Sequence, residues 1–234
     1  MPSLRRRRDL AVLPALLLVA YGLVAAQAPS ESGEYTPEVG QPGKDIVWVP
    51  TPDELVERML QMAGVGSSDY VIDLGSGDGR IVIMAAEEFG ARGLGIEYNQ
   101  DMVALSIRNA EKTGVADKVE FVHGDLFESD LGQGTVITLY LSPGLNLKLR
   151  PKLLDLRPGT RVVSHTFSMA AWQPDDRIAF DGASAYLWIV PAKVAGNWKL
   201  MFPTEASETW ILALADLAQL DPCKRFFRGP LPCK

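Results

Sequence analysis

One stretch limits the folds open to this chain. "VIDLGSGDGRIVI", Val71 to Ile83, sets Gly75, Gly77 and Gly79 within five residues between two apolar runs. Glycine reaches positive φ and lets the backbone come close to another group. An apolar run, a glycine turn and a second apolar run with helical spacing read as strand, tight turn and helix. The alternation continues downstream. "GLGIE" reads as a strand, "QDMVALSIRNAEKTG" as a helix closed by Gly114, and "KVEFVHGD" as a strand. "TVITLYL" is a strand, "LNLKLRPKLLDL" a helix and "TRVVSHTF" a strand. Upstream, Thr51 is placed to cap a helix, with Pro52 at its first position and Glu54 completing a capping box. Leu55, Met59 and Met62 then share one face, and Gly64 ends the helix. Strands alternating with helices predict an α/β fold, a Rossmann-like sheet that is mostly parallel with helices on both faces. Two late apolar runs, "AYLWIVPA" and "TWILALADL", have no clear helix between them and are expected to pair as a terminal antiparallel hairpin.

In doubly wound folds, small ligands bind at the carboxyl ends of the strands. A dinucleotide turn reads G-x-G-x-x-G and leaves helix amides for a pyrophosphate. Here the spacing is D-x-G-x-G-x-G, from Asp73 to Gly79. A carboxylate at the turn suits a cationic ligand better than a phosphate. Glu97 ends the next strand, where it can accept from both hydroxyls of a ribose. Asp125 ends the third, where it can meet an adenine amino group. Three acids at three successive strand ends describe a nucleoside that carries an amine and no phosphate. A formal net charge of −6 does not suit a chain built to neutralise nucleic-acid phosphates, so no nucleic-acid partner is expected. No metal site is expected either.

Together, "VIDLGSGDGR", "GIE" and "FVHGDLF" resemble the class I S-adenosylmethionine-dependent methyltransferases, over roughly Asp45 to Phe167. The resemblance implies a seven-stranded sheet whose last pair is a reversed hairpin, and S-adenosyl-L-methionine as cofactor. It implies that Gly75, Ser76, Gly77 and Gly79 admit the methionine part and ribose. Asp73 would hold the turn or the methionine ammonium, Glu97 the ribose diol, and Asp125 with Leu126 the adenine. "VWVPTPDELVERML", "DLGSGDGRIVI" and "TLYLSPGLNLKLRPKLL" resemble, more narrowly, a bacterial branch of the group that contains the mitochondrial lysine methyltransferases of the ATP synthase C-subunit and of the adenine nucleotide translocase. That likeness implies N-methylation of a protein lysine. It also implies that the segment with Thr51 folds over the methionine end of the cofactor. Tyr140 ends the fourth strand, where class I methyltransferases place residues that meet the acceptor, and is the candidate catalytic residue. His165 is read as structural, with proton acceptor as the alternative. His123 is read as structural. Two other functions stay open: methylation of a small-molecule acceptor, and a non-catalytic cofactor-binding interaction protein.

The rest of the chain carries signals of placement. Arg5 to Arg8 precede an uncharged run, Leu10 to Ala26, and Ala26-Gln27-Ala28 offers a cleavage pattern. Residues 1–28 are therefore expected to be a signal peptide or membrane anchor, 29–44 a linker, 45–220 the methyltransferase domain and 221–234 a tail. The expected location is exported, periplasmic or membrane-anchored, with the cytoplasmic face of the membrane as the alternative. In an exported chain Cys223 and Cys233 would be joined. The protein is expected to be a monomer. Lys148, Arg150, Lys152 and Arg157 read as a solvated helix face, with a contact for acidic lipid headgroups or an acidic partner as the alternative.

Overall fold

The computed structural model describes residues 35–193, together with the backbone of strands at 196–201 and 209–214. The leader at 1–28 and both cysteines of the tail lie outside the described residues. Among the described residues no helix is long and apolar enough to cross a membrane.

The order of elements is α1 (Asp53–Met62), β1 (Tyr70–Leu74), α2 (Arg80–Glu88), β2 (Arg92–Glu97), α3 (Gln100–Thr113), β3 (Val119–His123), β4 (Val136–Leu139), α4 (Pro143–Leu154), β5 (Arg161–His165), β6 (Asp176–Phe180), β7 (Ala183–Ile189), β8 (Gly196–Met201) and β9 (Thr209–Leu214). Seven strands form one sheet in the order β3-β2-β1-β4-β5-β7-β6. The pairs β1–β2, β1–β4, β2–β3 and β4–β5 are parallel, while β7 runs antiparallel to both β5 and β6. The fold is thus the expected α/β sheet with a reversed end. The partner of the reversed strand differs from expectation. "AYLWIVPA" supplies β7, but its hairpin partner is β6, "DRIAF". "TWILALADL" supplies β9, which pairs with β8 in a separate two-stranded sheet. β6 escapes a hydrophobic reading because it is an edge strand with no fully buried residue.

Each helix turns one apolar stripe to the sheet. Leu55, Val56, Met59 and Leu60 of α1 are fully buried with Val71, Val136 and Val163 of the strands. Across the sheet, Leu149 and Leu153 of α4 pack with Ile72, Ile137, Val162 and Trp188. Local chemistry sets the helix ends. Asn99 caps α3 by accepting from the amides of Asp101 and Met102, and Gly114 closes it in the left-handed conformation. Ser142 caps α4 by accepting from Leu145 N, ahead of Pro143.

α1 starts differently. Its N-cap is Pro52, with no side-chain capping bond, so Thr51 is not the cap. Glu54 pairs with Arg58 one turn on and closes no capping box. The folded unit also reaches back to Tyr35, so residues 35–44 belong to it and are not a linker. Gly40 N donates to Trp48 O and Trp48 N to Gln41 O, folding this segment into a loop. Of the four basic residues on and just after α4, Lys148 and Arg157 are exposed and Arg150 and Lys152 are half-buried, and all four have partners. Lys152 Nζ donates to the carbonyls of Leu126, Phe127 and Ser129, at 3.2, 2.8 and 2.5 Å. Lys148 lies 3.8 Å over the Phe127 ring, Arg150 donates to Met169 O and Arg157 to Gln133 O.

Candidate active site

The strand order reverses between β1 and β4, so their carboxyl ends open a crevice. A cleft there is lined by the loop from Gln41 to Thr51, the turn after β1, and the ends of β2, β3 and β4. It brings together Thr51, Asp73, Gly75, Ser76, Gly77, Glu97, Asp125, Leu126 and Tyr140, which are scattered along the sequence and united only by closure of the sheet. Gly79 is not among its walls. It sits at the N-terminus of α2 with φ +83, and a Cβ there would stand 2.8 Å from the Phe121 ring and 2.9 Å from Ser106 Cβ. Gly79 therefore lets α2 and α3 close on the sheet. Gly77 does face the cleft. Its φ is +55, and a Cβ would meet Trp48 Nε1 at 2.5 Å.

The turn is held from several sides. The amides of Gly75 and Ser76 donate to Ile96 O, and that of Gly77 to Glu97 Oε2 at 2.9 Å. Asn99 N donates to Glu97 Oε1, also at 2.9 Å. Each Glu97 oxygen thus accepts one amide and keeps lone-pair capacity toward the cleft. Arg80 pairs with Asp78, donates to Thr51 O at 3.0 Å and reaches Asp53 Oδ1. It ties the glycine turn to the start of α1. Sequence reading passes over Arg80, although it directly follows Gly79.

Asp73 is 2% exposed, and its Oδ1 accepts from the Thr138 hydroxyl at 2.6 Å. Burial pushes its pKa up to about 7; the Thr138 bond opposes this, while Glu97 and Asp78 add to it. Ser76 Oγ is buried without a hydrogen-bond partner. Asp125 accepts from Phe127 N at 2.8 Å and pairs with Lys44 at 2.5 Å. That lysine holds the Asp125 carboxyl below the usual range and lies 4.4 Å over the Tyr98 ring. Lys44 and Trp48 are two further residues that sequence reading does not assign to the site. Their signal is weak: Lys44 ends a polar stretch and Trp48 sits in a short apolar run ahead of the first helix.

Behind Tyr140 stands His165. The two rings are 3.8 Å apart at 31°, and Phe167 lies 6.2 Å beyond. His165 Nδ1 is 3.0 Å from Thr51 Oγ1. His165 is 4% exposed, and burial pushes its pKa down to about 4. His123 is exposed and packs at a tilt against Tyr98, outside the cleft walls.

A family model described as the ANTKMT methyltransferase domain matches residues 73–176. A protein-lysine N-methyltransferase of Saccharolobus islandicus is 40% identical over 151 residues, covering 62% of this chain and 94% of the relative. The chain belongs to this methyltransferase family. A Caenorhabditis elegans lysine N-methyltransferase of the ATP synthase C-subunit is 30% identical over 184 residues, 74% of this chain and 95% of that protein. A crystal structure described as an RNA methyltransferase from Salinibacter ruber, with S-adenosyl-L-homocysteine bound, is 53% identical, with a TM-score of 0.62 over 62% of this chain and 96% of that one. The cofactor of this methyltransferase is S-adenosyl-L-methionine. The cleft fits it. A buried carboxyl poised near pH 7 is stabilised as an anion by an ammonium, and Glu97 keeps lone pairs for a diol.

Proposed function

We propose that this methyltransferase modifies the side-chain amine of a lysine in a protein acceptor. The observation that carries the reading is one cleft holding Asp73, Glu97 and Tyr140 on three strand ends. In this reading Asp73 accepts from the cofactor ammonium, Glu97 from the ribose hydroxyls, and Asp125 with Leu126 borders the adenine. Gly75 and Gly77 give the close backbone approach, and Tyr140 borders the acceptor. Bound S-adenosyl-L-methionine supplies a methyl group on a sulfonium, open to in-line displacement by a neutral amine.

The chain's own task is alignment and supply of that neutral amine. A free lysine has a pKa of about 10.4, so about one in 400 is neutral at pH 7.8. Leu141 and Leu145 in the cleft wall disfavour the ammonium by desolvation and raise that fraction. His165 is a poor base for the remaining protons. With a pKa of about 4 it lies some six units below lysine, a gap of roughly 8 kcal/mol. Solvent therefore takes the proton.

The acceptor we infer is the C-subunit of ATP synthase, on the likeness to the Caenorhabditis relative. The full-length chain, labelled cofactor, bacterial membranes and the purified C-subunit make the test. Methyl-lysine in the acid hydrolysate of the protein fraction is the expected result. Label confined to small molecules would overturn the lysine reading. A second reading follows from the Salinibacter structure, described as an RNA methyltransferase. Total RNA as a parallel acceptor decides it, since label released by nuclease and not by protease would favour RNA. We also propose that the leader exports the chain or tethers it to a membrane, on Arg5 to Arg8 and the apolar run behind them. Mass spectrometry of the native N-terminus, with protease accessibility in spheroplasts, tests that placement.

A further inference from the structure

Three segments distant in sequence meet at His165. Thr51 comes from the loop before α1, Tyr140 from the end of β4, and His165 from the end of β5. Thr51 and Tyr140 line the cleft, and His165 does not. Thr51 also forgoes the local role its position offers. It stands just ahead of α1, yet that helix has no side-chain cap, and the Thr51 hydroxyl lies against a ring 114 residues on. The backbone at His165 is itself constrained. Thr166 follows with φ +66, a conformation that a β-branched residue holds only when its surroundings impose it. Its amide donates to Ser184 O, and Phe167 N returns to His165 O at 2.8 Å.

We propose that His165 is a positioning residue for methyl transfer, holding the Thr51 hydroxyl and the Tyr140 ring as two sides of the seat for the acceptor amine. The proposal rests on the lysine reading above. Burial keeps the imidazole neutral near pH 7. In the tautomer with its proton on Nε2, Nδ1 accepts the Thr51 hydroxyl proton, and the Thr51 oxygen keeps its lone pairs for a second donor. That donor is an N–H of the neutral lysine amine, which leaves the nitrogen lone pair free for the methyl carbon. With the proton on Nδ1 instead, Thr51 would turn its own proton toward the cleft and confront the amine with a donor. The ring contact acts in the same sense. As the nitrogen–carbon bond forms and the sulfur–carbon bond breaks, the electron pair stays on sulfur and the nitrogen gains positive charge. A neutral His165 behind Tyr140 leaves the phenol ring able to attract that charge, where an imidazolium would oppose it. The surplus proton on nitrogen leaves to solvent.

Nitrogen NMR of the full-length chain at pH 7.5, with labelled histidine, reads the tautomer. We expect His165 neutral, with its proton on Nε2. A proton on Nδ1 would overturn the proposal. Kinetics with the purified C-subunit of ATP synthase read the seat. Thr51→Val and His165→Phe should each lower kcat on that acceptor by about 10- to 100-fold, while the affinity for S-adenosyl-L-homocysteine stays within about threefold. The double variant should be no slower than the slower single one, because both remove the same bond. Thr51→Ser should restore most of the loss. Losses that multiply in the double variant, or cofactor affinity that falls in step with turnover, would overturn it. Where His165→Phe folds poorly, shown by lost S-adenosyl-L-homocysteine binding, the Thr51 pair and the tautomer decide. If the wild-type chain makes no methyl-lysine, the lysine reading and the amine seat both fail. The tautomer then still reports whether His165 holds Thr51.

Discussion

Asp73 is the residue where burial and ligand chemistry meet most directly. Its carboxyl is raised from the ordinary 3.8 to about 7 because it is almost fully enclosed, with Glu97 and Asp78 nearby. A cationic ammonium at the cleft would favour the charged form and pull that value back down. Binding of S-adenosyl-L-homocysteine at pH 6 should therefore release close to one proton. Affinity should weaken as pH falls below 7, by up to about tenfold per unit. Calorimetry in buffers of different ionisation enthalpy counts the protons. Asp73→Asn should abolish the release and weaken binding by about 10- to 100-fold, the scale of a lost charge-assisted hydrogen bond. An unchanged proton count in the variant would remove Asp73 from the ammonium site.

Among the elements, α4 does more than cover the sheet. Through Lys152 it clamps the segment after β3, because one ammonium gathers the carbonyls of Leu126, Phe127 and Ser129. The same segment carries Asp125, whose Oδ1 accepts from Phe127 N. The helix therefore holds in place the segment that forms the Asp125 side of the cleft. Burial pushes the Lys152 pKa down, but the ammonium keeps its three acceptors. Lys152→Met retains the aliphatic stem and leaves those carbonyls short of a donor. It should lower stability by about 1–3 kcal/mol in urea unfolding. It should also weaken S-adenosyl-L-homocysteine binding more than Lys148→Met, whose partner is the Phe127 ring face. Equal effects of the two variants would mean that the clamp does not shape the cleft.

Across the whole molecule, two buried groups set opposite pH slopes. His165 is lowered from 6.5 to about 4, so between those values the unfolded chain binds the extra proton and stability rises with pH. Asp73 is raised from 3.8 to about 7, so between those values the folded chain holds the extra proton and stability falls with pH. Each slope approaches about 1.4 kcal/mol per pH unit, and from about pH 4 to 6.5 they oppose each other. The ligand-free wild type should therefore show little net slope from this pair. Asp73→Asn should gain stability from pH 4.5 to 6.5, and His165→Phe should lose it. Urea unfolding at the two pH values gives the signs. Asp69 and Asp125, held below the usual carboxylate range by hydrogen bonds and cationic partners, add losses that begin at lower pH.

The sequence by itself determined the elements and the turn. Alternating strand and helix periods, the three glycines after β1 and the acids at the ends of β1, β2 and β3 are local patterns, and the sheet places them where those patterns imply. It did not determine partners. Edge strand β6 has no buried stripe to announce it, so which run pairs with β7 depended on closure of the sheet. The Thr51 hydroxyl had a nearby helix end to cap and lies instead on His165, 114 positions away. Lys44 reaches Asp125 across 81 positions, and Lys152 of α4 finds three carbonyls after β3. Periodicity encodes which side of an element is buried, because that depends on residues three or four apart. A polar group's bond depends on which donors and acceptors the finished fold brings within about 3 Å, and only the tertiary structure decides that.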